Sequence, residues 1–168
     1  DPIQTGVEPD AIDPLRVSVL RGRVMTVADE PLPGVTIRIL ERNPNEDEAA
    51  FGQTLTQGNG GFDMAVNGGG PLTVVYEKDG YLTAQRQAQA LRQDYAWLPD
   101  VVMIPADEQA TEVDLGSATE VEVAQGSIVT DGDGTRQATV MFEPGTTAEM
   151  VFADGSTAPV ETLTVRAT

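Results

Sequence analysis

The chain has 168 residues, with 27 acids against 10 bases and a formal net charge of −17. It contains no cysteine and no histidine, which excludes disulfides, thiol nucleophiles, histidine general bases and zinc sites of the Cys/His kind. The acidic balance argues against nucleic acid and anionic membranes as partners, since each needs a basic footprint, and no apolar run of about 18 residues is present to cross a bilayer.

Hydrophobic residues make up 40% of the chain, enough to bury a core. The length allows one large domain or two small ones. The chain starts at Asp1 rather than Met, which reads as a processed product or a fragment, and it ends in what reads as mid-strand, Leu163–Thr168. Residues 1–14 carry three prolines, four acids and a glycine, the composition of a linker or of a terminal segment available for exchange.

From Leu15 the pattern becomes short strands. Val35, Ile37 and Ile39 alternate with polar residues, as do Phe62, Met64 and Val66, and then Leu72, Val74 and Tyr76. A period of two is that of a half-buried strand. Turn signals separate the runs: Leu32-Pro33-Gly34, Asn59-Gly60-Gly61, Gly68-Gly69-Gly70-Pro71 and Asp79-Gly80. Thr54–Thr56 and Phe62–Val66 read as a hairpin across the Asn-Gly turn, and Lys78–Tyr81 as a second tight hairpin. The stretch Thr83–Asp94 has helical propensity, but its β surroundings favour a strand from Tyr81 through Gln89. Tyr95–Ile104 reads as the last strand of a first domain, 15–105.

Composition then shifts. Residues 106–168 hold 12 acids and two bases, a net of −10, whereas residues 1–105 hold 15 and eight, a net of −7. Six strand-like runs follow, at Thr111–Leu115, Thr119–Ala124, Ser127–Thr130, Gln137–Phe142, Ala148–Phe152 and Leu163–Ala167. They predict a second small β-sandwich over 106–168, marginal in size and leaning on its neighbour. The fold class is all-β throughout.

The segment Val17–Tyr81 follows a template: Arg21-Gly22-Arg23-Val24, Pro31–Ile37, Gly52–Thr56, Gly58–Phe62 and Tyr76–Tyr81. It resembles the carboxypeptidase regulatory-like domain, which implies a transthyretin-like, seven-stranded β-sandwich. Further along come Gly68–Leu72, Asp94–Val101, Asp131–Ala138, Pro144–Ala148 and Val165–Thr168, in that order. Together they resemble the β-region upstream of the repeats in large bacterial RHS/YD-repeat proteins, a region related to the plug-like β-domains of the teneurin group. That resemblance implies an extracellular or cell-surface module whose partners are other domains of a parent protein or copies of itself. The YD repeats are absent, so neither delivery nor encapsulation is implied for this chain.

Candidate chemistry is sparse. Asp131 and Asp133, on a Gly-flexible loop, match part of a Ca²⁺ loop but lack its third acid and distal glutamate. The plainer reading is a hairpin turn between Ile128–Thr130 and Gln137–Phe142. Tyr81, Tyr95 and Trp97 could form an aromatic platform for a glycan or protein ligand, although core packing is the simpler expectation. The acidic run Asn45–Glu48 reads as a solvated loop. Glu120/Glu122 and Asp63/Glu77 are carboxylate pairs of the kind glycosidase chemistry uses, but Glu120 and Glu122 read as neighbours on one solvated strand face with nothing apolar or cationic nearby to raise one pKa, which argues against catalysis. Gly68-Gly69-Gly70 lacks the lysine and helix of a phosphate loop, and none of Ser18, Ser117, Ser127 or Ser156 sits in a nucleophile elbow. The expectation is a non-catalytic structural or adhesive module without a required cofactor. A binding module, or a filament subunit completing a neighbour's sheet through a terminal strand, are the alternatives.

Overall fold

The computed structural model describes residues 3–40, 51–152 and 154–168. The acidic run Asn45–Glu48 lies outside the described residues. Among the described residues every regular element is a strand, and they fall into two compact units, Asp1–Ile104 and Pro105–Thr168.

In the first unit two sheets share one core. The first sheet is antiparallel throughout. It takes β1 (Gln4–Thr5), β4 (Gln53–Leu55), β3 (Thr36–Ile39), β6 (Gly70–Glu77) and β7 (Ala84–Ala90) in that spatial order. The second has β2 (Val17–Met25) at its centre, with β5 (Gly61–Asn67) antiparallel on one side. On the other side β8 (Asp94–Trp97) and β9 (Val101–Val102) run parallel to β2. That makes nine strands where seven were expected. The added pieces are β1 and the division of the last strand, where Pro99 lacks an N–H for the ladder.

Alternation builds the interior. On β2 the inward positions Leu20 and Val24 are fully buried, and on β5 Phe62, Met64 and Val66 face them. Ile37, Val74 and Tyr76 come from the opposite sheet, and Met103 closes the cluster. Gly22 also points inward, directly opposite Phe62 in register. A Cβ there would lie 2.8 Å from the Phe62 ring, so the glycine makes room for the aromatic.

The hairpin expected between Thr54–Thr56 and Phe62–Val66 does not form. The turn is present, with Gly60 at φ +76° and its N–H donating to the Gln57 carbonyl at 2.8 Å. But β4 pairs with β1 and β3, whereas β5 pairs with β2. The chain crosses between sheets because both sides of the turn are anchored in the interior. The buried Thr56 hydroxyl accepts from Val35 N–H at 2.8 Å and donates to Leu32 carbonyl at 2.7 Å. Gly60 carbonyl in turn accepts from Val24 N–H at 2.9 Å.

The turn at Lys78–Tyr81 does form, with Tyr81 N–H donating to the Lys78 carbonyl at 3.1 Å. But the link from β6 to β7 is longer than a tight hairpin: the ladder closes at Tyr76–Ala84, and β7 begins at Ala84 rather than Tyr81. The N-terminal segment, expected as linker or exchange strand, is packed. Gln4 and Thr5 pair with Thr54 and Gln53 of the same chain, Ala11 is buried, and Asp13 N–H donates to Asn67 at 2.9 Å.

The second unit consists of four two-stranded ladders. They are β10 (Thr111–Asp114) with β17 (Thr162–Val165), β11 (Glu122–Gln125) with β14 (Thr139–Phe142), β12 (Val129–Asp131) with β13 (Gly134–Arg136), and β15 (Ala148–Val151) with β16 (Thr157–Val160). Eight strands replace the six expected. Ile128–Thr130 pairs not with Gln137–Phe142 but with β13, the shorter strand immediately after the turn. Among the unit's described residues, Val113, Ala124 and Ala167 are the buried apolar side chains. The terminal strand β17 pairs with β10 of the same chain.

Candidate functional site

The most distinctive side-chain group lies on the outward face of the β5–β2–β8 sheet. Parallel pairing sets Leu20 opposite Ala96 and Arg21 opposite Trp97. Since Leu20 points into the core, Ala96 does too, and the alternating Tyr95 and Trp97 fall on the outer face. Antiparallel pairing places Asp63 opposite Arg21 from the other side. One row across the sheet therefore reads Asp63, Arg21, Trp97, with Tyr95 diagonal to the arginine.

Arg21 Nε and Nη2 donate to the two Asp63 carboxylate oxygens at 2.5 and 3.0 Å. This bidentate pair holds the guanidinium pKa above its ordinary value, through the Asp63 hydrogen bond first. The guanidinium carbon lies 5.2 Å from the Tyr95 ring centroid and 5.3 Å from that of Trp97, within cation–π range of both. Despite these contacts Tyr95 is 55% exposed and Trp97 73% exposed. The expectation that they pack the core is thus corrected: the parallel register turns both rings outward. Tyr81 does not join them, and packs partly buried against the core.

The other candidates resolve into structural roles. Asp131 accepts from Arg136 Nη2 at 2.6 Å and from Asp133 N–H at 3.0 Å, so the loop is the turn of the β12–β13 hairpin latched by an ion pair. The Arg136 hydrogen bond is the main cause of the lowered Asp131 pKa. A cation at Asp131 and Asp133 would first have to displace that guanidinium. Among the described residues no three potential ligands gather as a metal site.

Asp63 and Glu77 do not form a carboxylate pair. Each is bound to its own arginine on a different sheet, Glu77 to Arg38 at 2.9 Å. Glu120 precedes β11 and shares no strand with Glu122. An open groove of about 490 Å³ runs along the β1–β4 edge past Ile3, Thr5, Leu55 and Gln57, and among the described residues no titratable side chain lines it.

Comparison with known proteins places this architecture. The Teneurin TTR-like domain family model matches residues 12–103, the greater part of the chain. The chain belongs to the teneurin TTR-like domain family. Among relatives of this TTR-like chain, mouse teneurin-3 is 39% identical over 66 residues, covering 39% of the chain and 2% of the relative. Chicken teneurin-1 is 28% identical over 102 residues, covering 61% of the chain and 4% of the relative. The chain thus spans only a few per cent of the length of these relatives.

Solved structures resemble it more loosely. Chlorocatechol dioxygenase from Rhodococcus opacus 1CP aligns at TM-score 0.43 and 14% identity, over 54% of this chain and 60% of that one. A streptococcal ancillary pilin aligns at TM-score 0.41 and 13% identity, over 89% of this chain and 59% of that one. The family match itself shows the expected transthyretin-like domain, and the matched relatives are teneurins rather than bacterial RHS proteins.

Proposed function

We propose that this chain is a non-catalytic, extracellular structural or adhesive β-module within a longer RHS-type surface or secreted protein. The observation that carries the reading is the teneurin TTR-like match over residues 12–103, laid on a nine-stranded sandwich. The side-chain chemistry supports it. The conspicuous acids are tied up in ion pairs or turns, as at Asp63, Glu77 and Asp131. Its direct partners are then neighbouring domains of the parent protein.

The test is accessibility on intact cells producing the parent protein. An antibody raised to this chain should label unlysed cells or the medium, and external protease should remove the cell-bound signal. Signal that appears only after lysis overturns the extracellular assignment.

A second reading, a binding module, is favoured by the exposed Arg21–Tyr95–Trp97 group. Assembly by strand exchange has less behind it, because β1 and β17 both pair within the chain.

A further inference from the structure

The outward positions of the β5–β2–β8 sheet combine three properties. They present two aromatic rings from alternate residues of one strand, about 7 Å apart along it. Between and beside the rings sit a hydrogen-bond donor and an acceptor. Arg21 uses Nε and Nη2 on Asp63, and among the described residues its Nη1 end takes no hydrogen bond. Asp63 keeps carboxylate lone pairs beyond the two that Arg21 occupies. Finally, the outward charged groups here are Arg21, Arg23 and Asp63, a nearly balanced set in a chain of net charge −17.

These properties select a ligand class. A polyanion is repelled by the chain as a whole, and a cation finds the one carboxylate of this face, Asp63, already paired with Arg21. A neutral carbohydrate meets neither barrier. Its C–H faces stack on aromatic rings, and its hydroxyls both donate and accept. The Arg21–Asp63 pair holds the donor and acceptor in fixed positions, so little ordering is left to be done on binding. A ligand touching both rings must extend beyond one sugar ring.

We propose that Tyr95, Trp97, Arg21 and Asp63 form a binding site for a neutral oligosaccharide on the outer face of this sheet. The proposal rests on the binding-module reading and not on where the parent protein resides.

Trp97 is the sole tryptophan, so its emission reports this site and no other. The full 168-residue chain would be titrated with neutral hexasaccharides of β-1,4-glucose, β-1,4-N-acetylglucosamine, β-1,4-mannose, β-1,4-xylose and α-1,4-glucose, with hexagalacturonate as the acidic counterpart. A saturable emission change with at least one neutral hexamer is expected, with little response to the acidic one. Tyr95→Ala and Arg21→Met should each weaken that response at least tenfold while the unfolding midpoint shows the variants folded. Calorimetric titration of Trp97→Phe supplies a readout independent of the fluorophore, and retention of some affinity there is expected.

A flat titration across all the neutral hexamers overturns the proposal. So does a response unchanged in folded Tyr95→Ala and Arg21→Met, or one dominated by hexagalacturonate. Concentration-dependent association of the chain, abolished by Tyr95→Ala and coupled with flat sugar titrations, would assign the face to protein docking instead. None of these outcomes bears on the cell-surface test, so the two readings fail separately.

Discussion

At the scale of single residues, one buried side-chain polar group among the described residues lacks a partner. The Tyr76 ring is fully buried and meets Phe62 edge-on, with centroids 5.9 Å apart at 77°. Its hydroxyl has no hydrogen-bond partner among the described residues. Burial pushes its pKa up from 10.0 to about 12, because the phenolate has lost its water. An orphaned buried hydroxyl costs about 1–3 kcal/mol. Tyr76→Phe keeps the ring and removes the orphan, so it should raise stability by about 1 kcal/mol in urea unfolding at pH 7. The pH dependence has a definite sign. The folded pKa lies above the unfolded one, so the contribution of the neutral hydroxyl is intact below pH 10 and is lost as pH rises toward 12. Unfolding curves at pH 9 and pH 11 should therefore converge more closely for Tyr76→Phe than for the parent chain. Equal alkaline losses in both would show that Tyr76 is not desolvated. Here the sequence was only half legible. Alternation along β6 marks Tyr76 as inward, but nothing local says whether its hydroxyl finds a partner.

Individual elements are held by side chains acting on backbone. β1 is only two residues long, yet its Gln4 reaches across to the edge of the other sheet. Its amide donates to Phe51 and Ala65 carbonyls at 2.6 and 2.9 Å and accepts from Ala65 N–H at 2.7 Å. It thereby occupies backbone groups of β5 that an edge strand otherwise offers to other chains. Gln4→Ala should lower stability by about 1–3 kcal/mol and speed amide exchange at Ala65. Exchange at Ala65 as slow as in the parent chain would remove the role assigned to Gln4.

In the second unit aspartates do the corresponding work. Asp107 accepts from Ser127 Oγ and N–H at 2.7 and 2.6 Å, Asp114 accepts from Ser117 Oγ at 2.6 Å, and Asp154 accepts from Ser156 Oγ at 2.6 Å. These serine hydrogen bonds are the leading cause of the lowered pKa of each carboxylate. The sign is opposite to that of Tyr76. Folded values below 3.8 give stability that is present above pH 4 and is lost as pH falls through the folded values. Thermal melts between pH 6 and pH 2 should show the second unit losing order on acidification, with Asp107→Asn flattening the trend. The sequence marks a turn at Asp154-Gly155, and the serines of Asp154 and Asp114 lie only two and three residues on. The bond of Asp107 was not legible, because its serine comes from 20 residues away.

For the molecule as a whole, the burial of apolar side chains is unequal. The first unit encloses a continuous cluster that includes Leu20, Ile37, Met64 and Met103. The second buries Val113, Ala124 and Ala167, while Met141, Met150, Val151 and Phe152 stay exposed. Apolar area removed from water is the main source of stability, so the second unit should be the weaker. Calorimetry of the full chain is expected to give two transitions. Val113→Ala should lower the first, and Leu20→Ala should lower the second by about 2–5 kcal/mol. A single transition moved by both substitutions would show one cooperative body instead.

The sequence by itself determined the β class, the inward faces of β3, β5 and β6, the turn at Asp79-Gly80, and the concentration of acid beyond residue 105. All of these are local: alternation fixes which face a side chain takes, and glycine or asparagine fixes where the chain can turn. Only the tertiary structure decided which strands are neighbours. It sent β4 and β5 to different sheets despite the tight turn between them, because Thr56 is bonded to Val35 at the head of β3 while Gly60 is bonded to Val24 of β2. It also laid β8 parallel to β2, across 76 residues of sequence, as the Ser18–Asp94 pairing shows. That register, invisible in any local pattern, is what carries Tyr95 and Trp97 out of the core and sets them against Arg21.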